Sequence, residues 1–303
     1  MQTILITGGT GLVGKALVPL LLAKGYRVIV MSRSKPNGPI TEGIDYALWD
    51  TEQQTIDVAA VQRADYIVHL AGAGVMDKRW TDDWKKTIVE SRTQSSRLLV
   101  DTLQKHPHQV KAVISASAIG WYGPDKTPAV PFTEDAPADS AFLGDTCRQW
   151  EESIQPVAQL GIRLVKLRIG IVLAEEGGAL QEFKKPLRFR IAGILGNGKQ
   201  VVSWIKIEDL CRMFVYAIEN EPLSGVYNAV APAPVSNRTL TLALARAVSG
   251  SFFIPLPVPA FMLRLIIGGG SIEILKSTTV SSKKIQAAGF VFDYATIEEA
   301  VRG

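Results

Sequence analysis

Gln2-Thr-Ile-Leu-Ile-Thr-Gly-Gly-Thr-Gly-Leu-Val-Gly-Lys-Ala-Leu17 is the stretch that decides the fold. Ile4 to Ile6 is a short apolar run that reads as a buried strand, and it runs straight into glycines. From Lys15 to Lys24 the apolar residues Ala16, Leu17, Leu20 and Leu21 recur at helical spacing. Strand, glycine turn and helix form the context that the dinucleotide fingerprint requires. Gly9-x-Gly11-x-x-Gly14 and the wider Gly8-x-x-Gly11-x-x-Gly14 both fit it. Residues without a Cβ let the chain turn tightly and let a pyrophosphate approach the main chain. The helix that starts near Leu12 then aims its free N–H groups and the positive end of its dipole at that phosphate.

Working outward, Tyr26 to Met31 reads as the second buried strand, and it ends in Ser32-Arg33-Ser34-Lys35. A site for NAD places an acid near this strand end to take the ribose hydroxyls. Here a small hydroxyl is followed by a guanidinium. Arg33 can pair with a 2′-phosphate and Ser32 can donate a hydrogen bond to it, so the expected cofactor is NADP. Tyr66 to Leu70 is a further strand, and the small residues Ala71 and Gly72 after it leave room for a ribose. His69, inside that apolar run, reads as a core residue. A long helix from about Asp83 to Lys105 carries Arg92, which can bond a cofactor or substrate or pair with a carboxylate. Val110 to Ser117 and Arg163 to Ile169 are strands with a helix from Asp145 to Leu160 between them. Alternating strands and helices predict a parallel, doubly wound α/β sheet of Rossmann type.

After Leu173 the pattern changes. Leu180 to Ile191 reads as a basic amphipathic segment. Trp204 to Asp209 leads into a helix through Ile218, and Val226 to Val230 is a strand. Pro255 to Gly270 and Ile272 to Ser277 read as apolar helices. The expected division is a nucleotide-binding domain of residues 1–172 and 201–230, with a smaller substrate lobe of residues 173–200 and 231–303 over the carboxyl ends of the strands.

The composition limits the function classes. The 303 residues are 47% hydrophobic and 20% charged, and the net charge of +4 has no concentrated basic tract, which argues against nucleic acid as a partner. The most apolar window, Phe252 to Gly270, contains Pro255, Pro257, Pro259 and Arg264, which argues against a membrane span. Cys147 and Cys211 have no metal-ligand spacing and suit a reducing compartment. A strand beginning at the second residue leaves no room for a signal peptide, so a cytoplasmic protein is expected.

With these pieces placed, the chain resembles an extended short-chain dehydrogenase/reductase of the epimerase/dehydratase superfamily. Gly8-Gly-Thr-Gly-Leu-Val-Gly14, His69-Leu-Ala-Gly72, Ser117 before Tyr122-Gly123, and Gln200 with Trp204-Ile-x-Ile-x-Asp209 are its landmarks. The resemblance is closer to the atypical SDR39U1-like branch of epimerase family proteins. It is carried by Asp77-Lys-Arg-Trp80, Glu90-Ser-Arg92, Ser115 to Gly123, Cys147-Arg-Gln-Trp-Glu151, Arg168-Ile-Gly-Ile-Val-Leu173, Phe253-Ile-Pro-Leu-Pro257 and Ala287-Ala-Gly-Phe-x-Phe292. It implies an NADP site formed by Gly8, Thr10, Gly11, Leu12, Val13 and Gly14 together with Ser32, Arg33, Leu70, Ala71, Arg92 and Val172. It also implies a small-molecule substrate, and a homodimer built on helices Asp83 to Lys105 and Asp145 to Leu160.

One departure bears on catalysis. Relatives in this superfamily use a Tyr-x-x-x-Lys pair, whose tyrosine exchanges a proton while hydride moves. Here Phe142 or Leu143 stands where the tyrosine is expected, and Thr146 or Cys147 where the lysine is expected. Two readings follow. In one the protein is an NADP-dependent oxidoreductase or epimerase-like enzyme in which Ser117 orients a carbonyl and Tyr122 or a water gives the proton. In the other it is a non-catalytic NADP-binding structural or sensor protein.

Overall fold

The computed structural model describes residues 1–34, 41–126 and 130–302. Its centre is a sheet of eight strands. In chain order the first half runs β1 (Thr3–Thr7), α1 (Leu12–Ala23), β2 (Arg27–Ser32), β3 (Ile44–Asp50), β4 (Thr55–Ile56), α2 (Val58–Arg63), β5 (Tyr66–His69), α3 (Asp82–Lys105) and β6 (Ala112–Ala118). It continues through α4 (Phe142–Ile154), α5 (Pro156–Gln159), β7 (Arg163–Ile169), β8 (Ile171–Ala174), α6 (Gly178–Leu187), β9 (Ile191–Leu195), β10 (Val201–Val202), β11 (Trp204–Lys206), α7 (Ile207–Glu219) and β12 (Gly225–Ala229). The chain closes with β13 (Val235–Ser236), α8 (Asn237–Ser249), β14 (Ile254–Val258), α9 (Ala260–Ile267), α10 (Ser271–Leu275), α11 (Lys283–Ala287) and α12 (Ile297–Arg302).

The strand order is β12-β7-β6-β5-β1-β2-β3-β4, and every neighbouring pair is parallel except β3 with β4. The order turns back at β1, which is flanked by β2 on one side and β5 on the other. Ligands bind outside the carboxyl ends of the strands at such a switch point. Both sheet faces are covered, so the strands are almost continuously apolar. Ile4, Ile6, Val28 and Val30 face Leu17 and Leu21 of α1 and Leu210 and Phe214 of α7. Leu5, Ile29, Ile67 and Val113 point the other way, toward Val61 of α2 and Leu98, Leu99 and Leu103 of α3. Arg163 closes the end of α7 by donating to the carbonyls of Ala217, Ile218 and Leu223, a C-terminal cap supplied from a neighbouring strand.

A separate apolar cluster joins Leu180 and Leu187 of α6, Ala192 of β9, Leu240 and Leu244 of α8 and Ile297 of α12. Two expectations need correcting here. The basic amphipathic segment expected from Leu180 to Ile191 is not one element, because α6 ends at Leu187 and Ile191 begins β9. The window Pro255 to Gly270 is not one helix, because Ile254–Val258 is a strand parallel to β9. The prolines are compatible with that strand for a geometric reason. The Ile254 N–H donates to the Arg190 carbonyl at 2.8 Å, so with a period of two the N–H positions of Pro255 and Pro257 face away from β9. The helix expected from Asp145 to Leu160 is likewise two helices, breaking at Gln155 before Pro156.

Candidate cofactor site at the carboxyl edge

The glycine loop is shaped by contacts that leave no room for side chains. Gly8 has φ +70, and a Cβ on it would lie 2.9 Å from the backbone of Leu70. A Cβ on Gly14 would lie 2.5 Å from Gly9 Cα, so α1 can approach the loop this closely only with glycine there. Gly11 donates to the Gly8 carbonyl at 3.0 Å and caps α1 without any side-chain hydrogen bond, and no acid stands in the first turn. The first N–H groups of a helix have no partner within it. Thr10 and Gly11 are exposed, and Leu12 and Val13 are partly so. This uncapped, acid-free helix start has the donor set and the closeness of approach that a pyrophosphate requires. At the end of β2, Ser32 is half-buried and Arg33 exposed. Lys35 lies outside the described residues.

Between β1 and β5 the edge is pinned by a buried relay. Thr7 Oγ1 lies 2.7 Å from His69 Nδ1 and accepts from the Leu70 and Ala71 N–H groups at 3.2 and 3.3 Å. With both backbone groups donating to it, the threonine hydroxyl gives its proton to Nδ1. His69 Nε2 then donates to Ser96 Oγ at 3.1 Å, and Ser96 donates to the Arg92 carbonyl at 2.8 Å. Burial pushes the imidazole pKa down to about 3, so the ring is neutral. His69 is therefore a fastening between β1, β5 and α3, which sets the course of Leu70 and Ala71.

Arg92 is held next to this relay. Its Nη1 donates to the carbonyls of Ala73 at 3.0 Å and Ile88 at 2.9 Å, and the guanidinium lies 4.9 Å from the Trp150 ring centroid. A Cβ on Gly72 would come within 3.1 Å of it. Burial pulls its pKa below the ordinary value, with Cys147 and Asp77 nearby opposing that. An arginine stays charged under such a shift. Among the described residues no carboxylate forms an ion pair with it, and Asp77 acts on it only through its nearby charge. Val172, on β8, packs against the same cluster as Leu12 and Leu70.

The far half of the edge is organised differently. Lys166 and Arg168 lie on one face of β7, opposite Ser115 and Ser117 of β6. Arg168 donates from Nε to Glu151 Oε1 at 2.7 Å and from Nη2 to Oε2 at 3.1 Å. Ser117 donates to the same Oε1 at 2.7 Å, and Lys166 Nζ lies 3.5 Å from Oε2. Arg168 Nη1 donates to Tyr122 Oη at 3.0 Å, and Tyr122 donates to Asn228 Oδ1 at 2.6 Å. Burial works against the charge on Arg168, but the bonds and charge of Glu151 more than offset it and raise its pKa. Burial also pushes the Tyr122 phenol up to about 12, against the partial relief given by Arg168 and Asn228.

This network corrects the expectation that Ser117 and Tyr122 stand ready for a substrate. Each is 2% exposed, and each hydroxyl proton already has an acceptor within the protein. Glu151 and Arg168 are the residues to which the sequence reading assigned no role. The available signal was the spacing Lys166-Leu-Arg168, which puts two cations on one face of a strand that must be buried.

Helix α4 separates the two candidate pairs by the direction in which they face. Leu143 and Cys147, one turn apart, both face Gly120 at the end of β6. A Cβ on Gly120 would lie 3.3 Å from Leu143 Cβ and 3.5 Å from Cys147 Sγ. Phe142 instead leans edge-on against Trp80, with ring centroids 5.0 Å apart, and Thr146 bonds back to the Phe142 carbonyl at 2.6 Å. Burial pushes the Cys147 thiol up to about 12, so it holds its proton at neutral pH. A charged surface groove of about 420 Å³ between α3 and α4 contains Arg97, Asp101, Gln149 and Glu152. It lies away from this edge and shares none of its residues.

Residues 4–143 match the NAD dependent epimerase/dehydratase family, and residues 258–303 match a domain of unknown function, DUF1731. An epimerase family protein of Staphylococcus aureus is 37% identical over 304 residues, covering 99% of this chain and 98% of its own. The chain belongs to the epimerase family proteins. Another member, from Staphylococcus haemolyticus, is 34% identical over 307 residues with the same coverage. Among solved structures, the human epimerase family protein SDR39U1 with NADPH superposes with a TM-score of 0.87 at 29% identity, over 99% of this chain and 98% of that one. A nucleoside-diphosphate sugar epimerase from Corynebacterium glutamicum gives 0.78 at 30% identity, over 99% of this chain and 57% of its own. The UDP-glucose 4-epimerase of Thermus thermophilus with NAD gives 0.78 at 19%, which speaks for the fold alone. The doubly wound α/β fold and a nicotinamide dinucleotide site are thus properties of the family. No helix among the described residues is long and apolar enough to cross a membrane.

Proposed function

We propose that this epimerase family protein is an NADP(H)-dependent oxidoreductase that works without a tyrosine–lysine pair. The observation that carries the reading is the pairing of the uncapped start of α1 with Arg33 at the end of β2, where no acid competes for the ribose. The glycine loop would hold the pyrophosphate, Ser32 and Arg33 the 2′-phosphate, and Leu70, Ala71 and Val172 the body of the cofactor. Arg92 would supply the positive charge near the ribose that the missing lysine does not. The bound cofactor would supply or accept a hydride. Residues 173–200 and 231–303 would form the substrate lobe. Ser117 and Tyr122 act in this reading as positioning groups, because they fix the end of β6 and exchange no proton with solvent.

The second reading, a non-catalytic NADP-binding protein, is favoured by Leu143 and Cys147, neither of which transfers a proton at neutral pH. Calorimetric titration with NADPH and NADH tests the shared part of both readings. NADPH should bind more tightly, and Arg33→Ala should cost about 1.5–3 kcal/mol for NADPH with little change for NADH, the loss expected for a charged hydrogen bond. Equal affinities in the unmodified protein would overturn the NADP assignment.

A further inference from the structure

We infer that the substrate taken at the end of β6 is a flat, conjugated dicarbonyl of the quinone class. The inference rests on the cofactor reading above and adds the chemical class of the acceptor.

The first observation is the surface itself. Leu143 faces Gly120, Phe142 leans on Trp80, and beyond them Met76 and Trp80 are packed under Gly270, whose Cβ would lie 3.2 Å from Met76 Sδ. Phe142, Leu143 and Trp80 are half-buried and Met76 is exposed, so part of this apolar surface is open to solvent. Three of the nearby polar groups are already bonded, while the buried Trp84 indole N–H at the rim has no partner among the described residues. The Trp80 indole N–H donates to the Val75 carbonyl at 2.9 Å, and Ser117 and Tyr122 are tied into the Glu151–Arg168 network. A sugar ring brought here would leave hydroxyls without partners, an unmade bond for each one buried. A flat conjugated ring loses nothing of that kind and gains the offset or edge-on contacts that aromatic walls favour. Two cations stand at the rim, with Lys85 Nζ 5.6 Å from the Phe142 centroid and Lys78 Nζ 4.9 Å from that of Trp84.

The second observation is the missing acid, and it selects the same class. Reduction of an isolated ketone leaves an alkoxide, whose conjugate acid is about as weak as water. Such a product needs a proton donor in place. In a quinone the C–H bond of the dihydronicotinamide breaks and its hydride ends as an O–H on one oxygen, while both carbonyl π bonds open, one electron pair completing the aromatic ring and the other moving onto the second oxygen. The other oxygen carries the negative charge and later takes one proton from water. The sum is NADPH plus quinone plus H⁺ giving NADP⁺ plus hydroquinone. That anion is a phenolate, whose conjugate acid has a pKa of about 10, which makes it far less basic than the alkoxide. Solvent can protonate it after the hydride has moved. Lysines at the rim stabilise the negative charge while it lasts.

The test uses the full-length protein saturated with NADP⁺, so that no turnover occurs, and calorimetric titration with menadione, a soluble naphthoquinone. Menadione should bind saturably, and Trp80→Ala and Phe142→Ala should each weaken it at least tenfold while NADPH affinity changes less than twofold. Trp80→Phe and Phe142→Leu keep the apolar volume and guard against misfolding, and they should retain menadione binding within about threefold. UDP-glucose at millimolar concentration should not compete. With NADPH under anaerobic conditions, absorbance at 340 nm should fall as menadione is reduced. Tight NADPH binding with no saturable menadione binding, or displacement of menadione by UDP-glucose, would overturn the inference and leave the cofactor reading intact. Menadione affinity unchanged in both alanine variants would also overturn it. Failure to bind NADPH would remove the cofactor reading and the inference with it.

Discussion

The two halves of the carboxyl edge treat their polar groups in opposite ways. At β1, β2 and the start of α1, donors point outward without protein partners, and Arg92 sits among carbonyls and forms no ion pair among the described residues. At β6, β7 and α4 every hydroxyl and charge described above is matched, with one carboxylate shared by Ser117, Arg168 and Lys166. Unmatched donors mark where a charged ligand completes the structure. Matched ones mark where the protein has completed itself, whatever role the same strand position has in other folds of this shape. A serine at the end of a strand therefore says little until its acceptor is known.

The sharpest way to break this contrast is to remove the shared carboxylate. Glu151→Ala leaves Arg168 and Lys166 buried and uncompensated, and removing one partner of a buried pair costs about 3–5 kcal/mol. Urea denaturation should show that loss, while NADPH affinity of the folded fraction stays within threefold. A destabilisation under 1 kcal/mol would mean the network is not the structural element described here. A smaller effect should follow acidification through His69. The unfolded chain takes up a proton on this residue below about pH 6.5, whereas the folded chain holds the ring neutral down to about pH 3. The contribution is complete above pH 6.5 and is lost as pH falls toward 3, so stability should drop by about 2 kcal/mol between pH 7.5 and 5 from this group. His69→Gln should flatten that part of the profile, and an unchanged slope would exclude His69 as its source. The smallest effect is expected for Tyr122→Phe, which deletes one hydroxyl between Arg168 and Asn228. Arg168 Nη1 keeps the Glu134 carbonyl as acceptor, so the change should cost about 0.5–1.5 kcal/mol of stability and leave turnover of any substrate unchanged. A turnover loss of a hundredfold would restore Tyr122 to the chemistry.

Much of the nucleotide half was legible because its signals are local. Glycines at fixed posts, an apolar run before them and a helical period after them leave one geometry, and Gly8, Gly11 and Gly14 stand where that geometry puts them. His69 was legible as a core residue because an imidazole in a continuous apolar strand lacks a route to water. The other half depends on contacts distant in sequence. Ser117 meets Glu151 and Tyr122 meets Asn228, separations of 34 and 106 residues, and no local pattern reports such pairings. The window from Pro255 to Gly270 misled for a related reason. An apolar window with alternate prolines carries no helical or strand period of its own, and only its pairing with Ile191–Leu195 makes it a strand.

That strand has a consequence for the protein in a crowded solution. β14 lies at the open side of a two-stranded sheet with Ile254 63% and Leu256 50% exposed, a composition that invites a second chain to add itself alongside. Pro255 and Pro257 withhold the N–H groups that such an addition would use, so the outer rim cannot template another strand. Replacing both prolines with valine would keep the apolar surface and restore the donors, turning a quiet border of the lobe into a seed for aggregation.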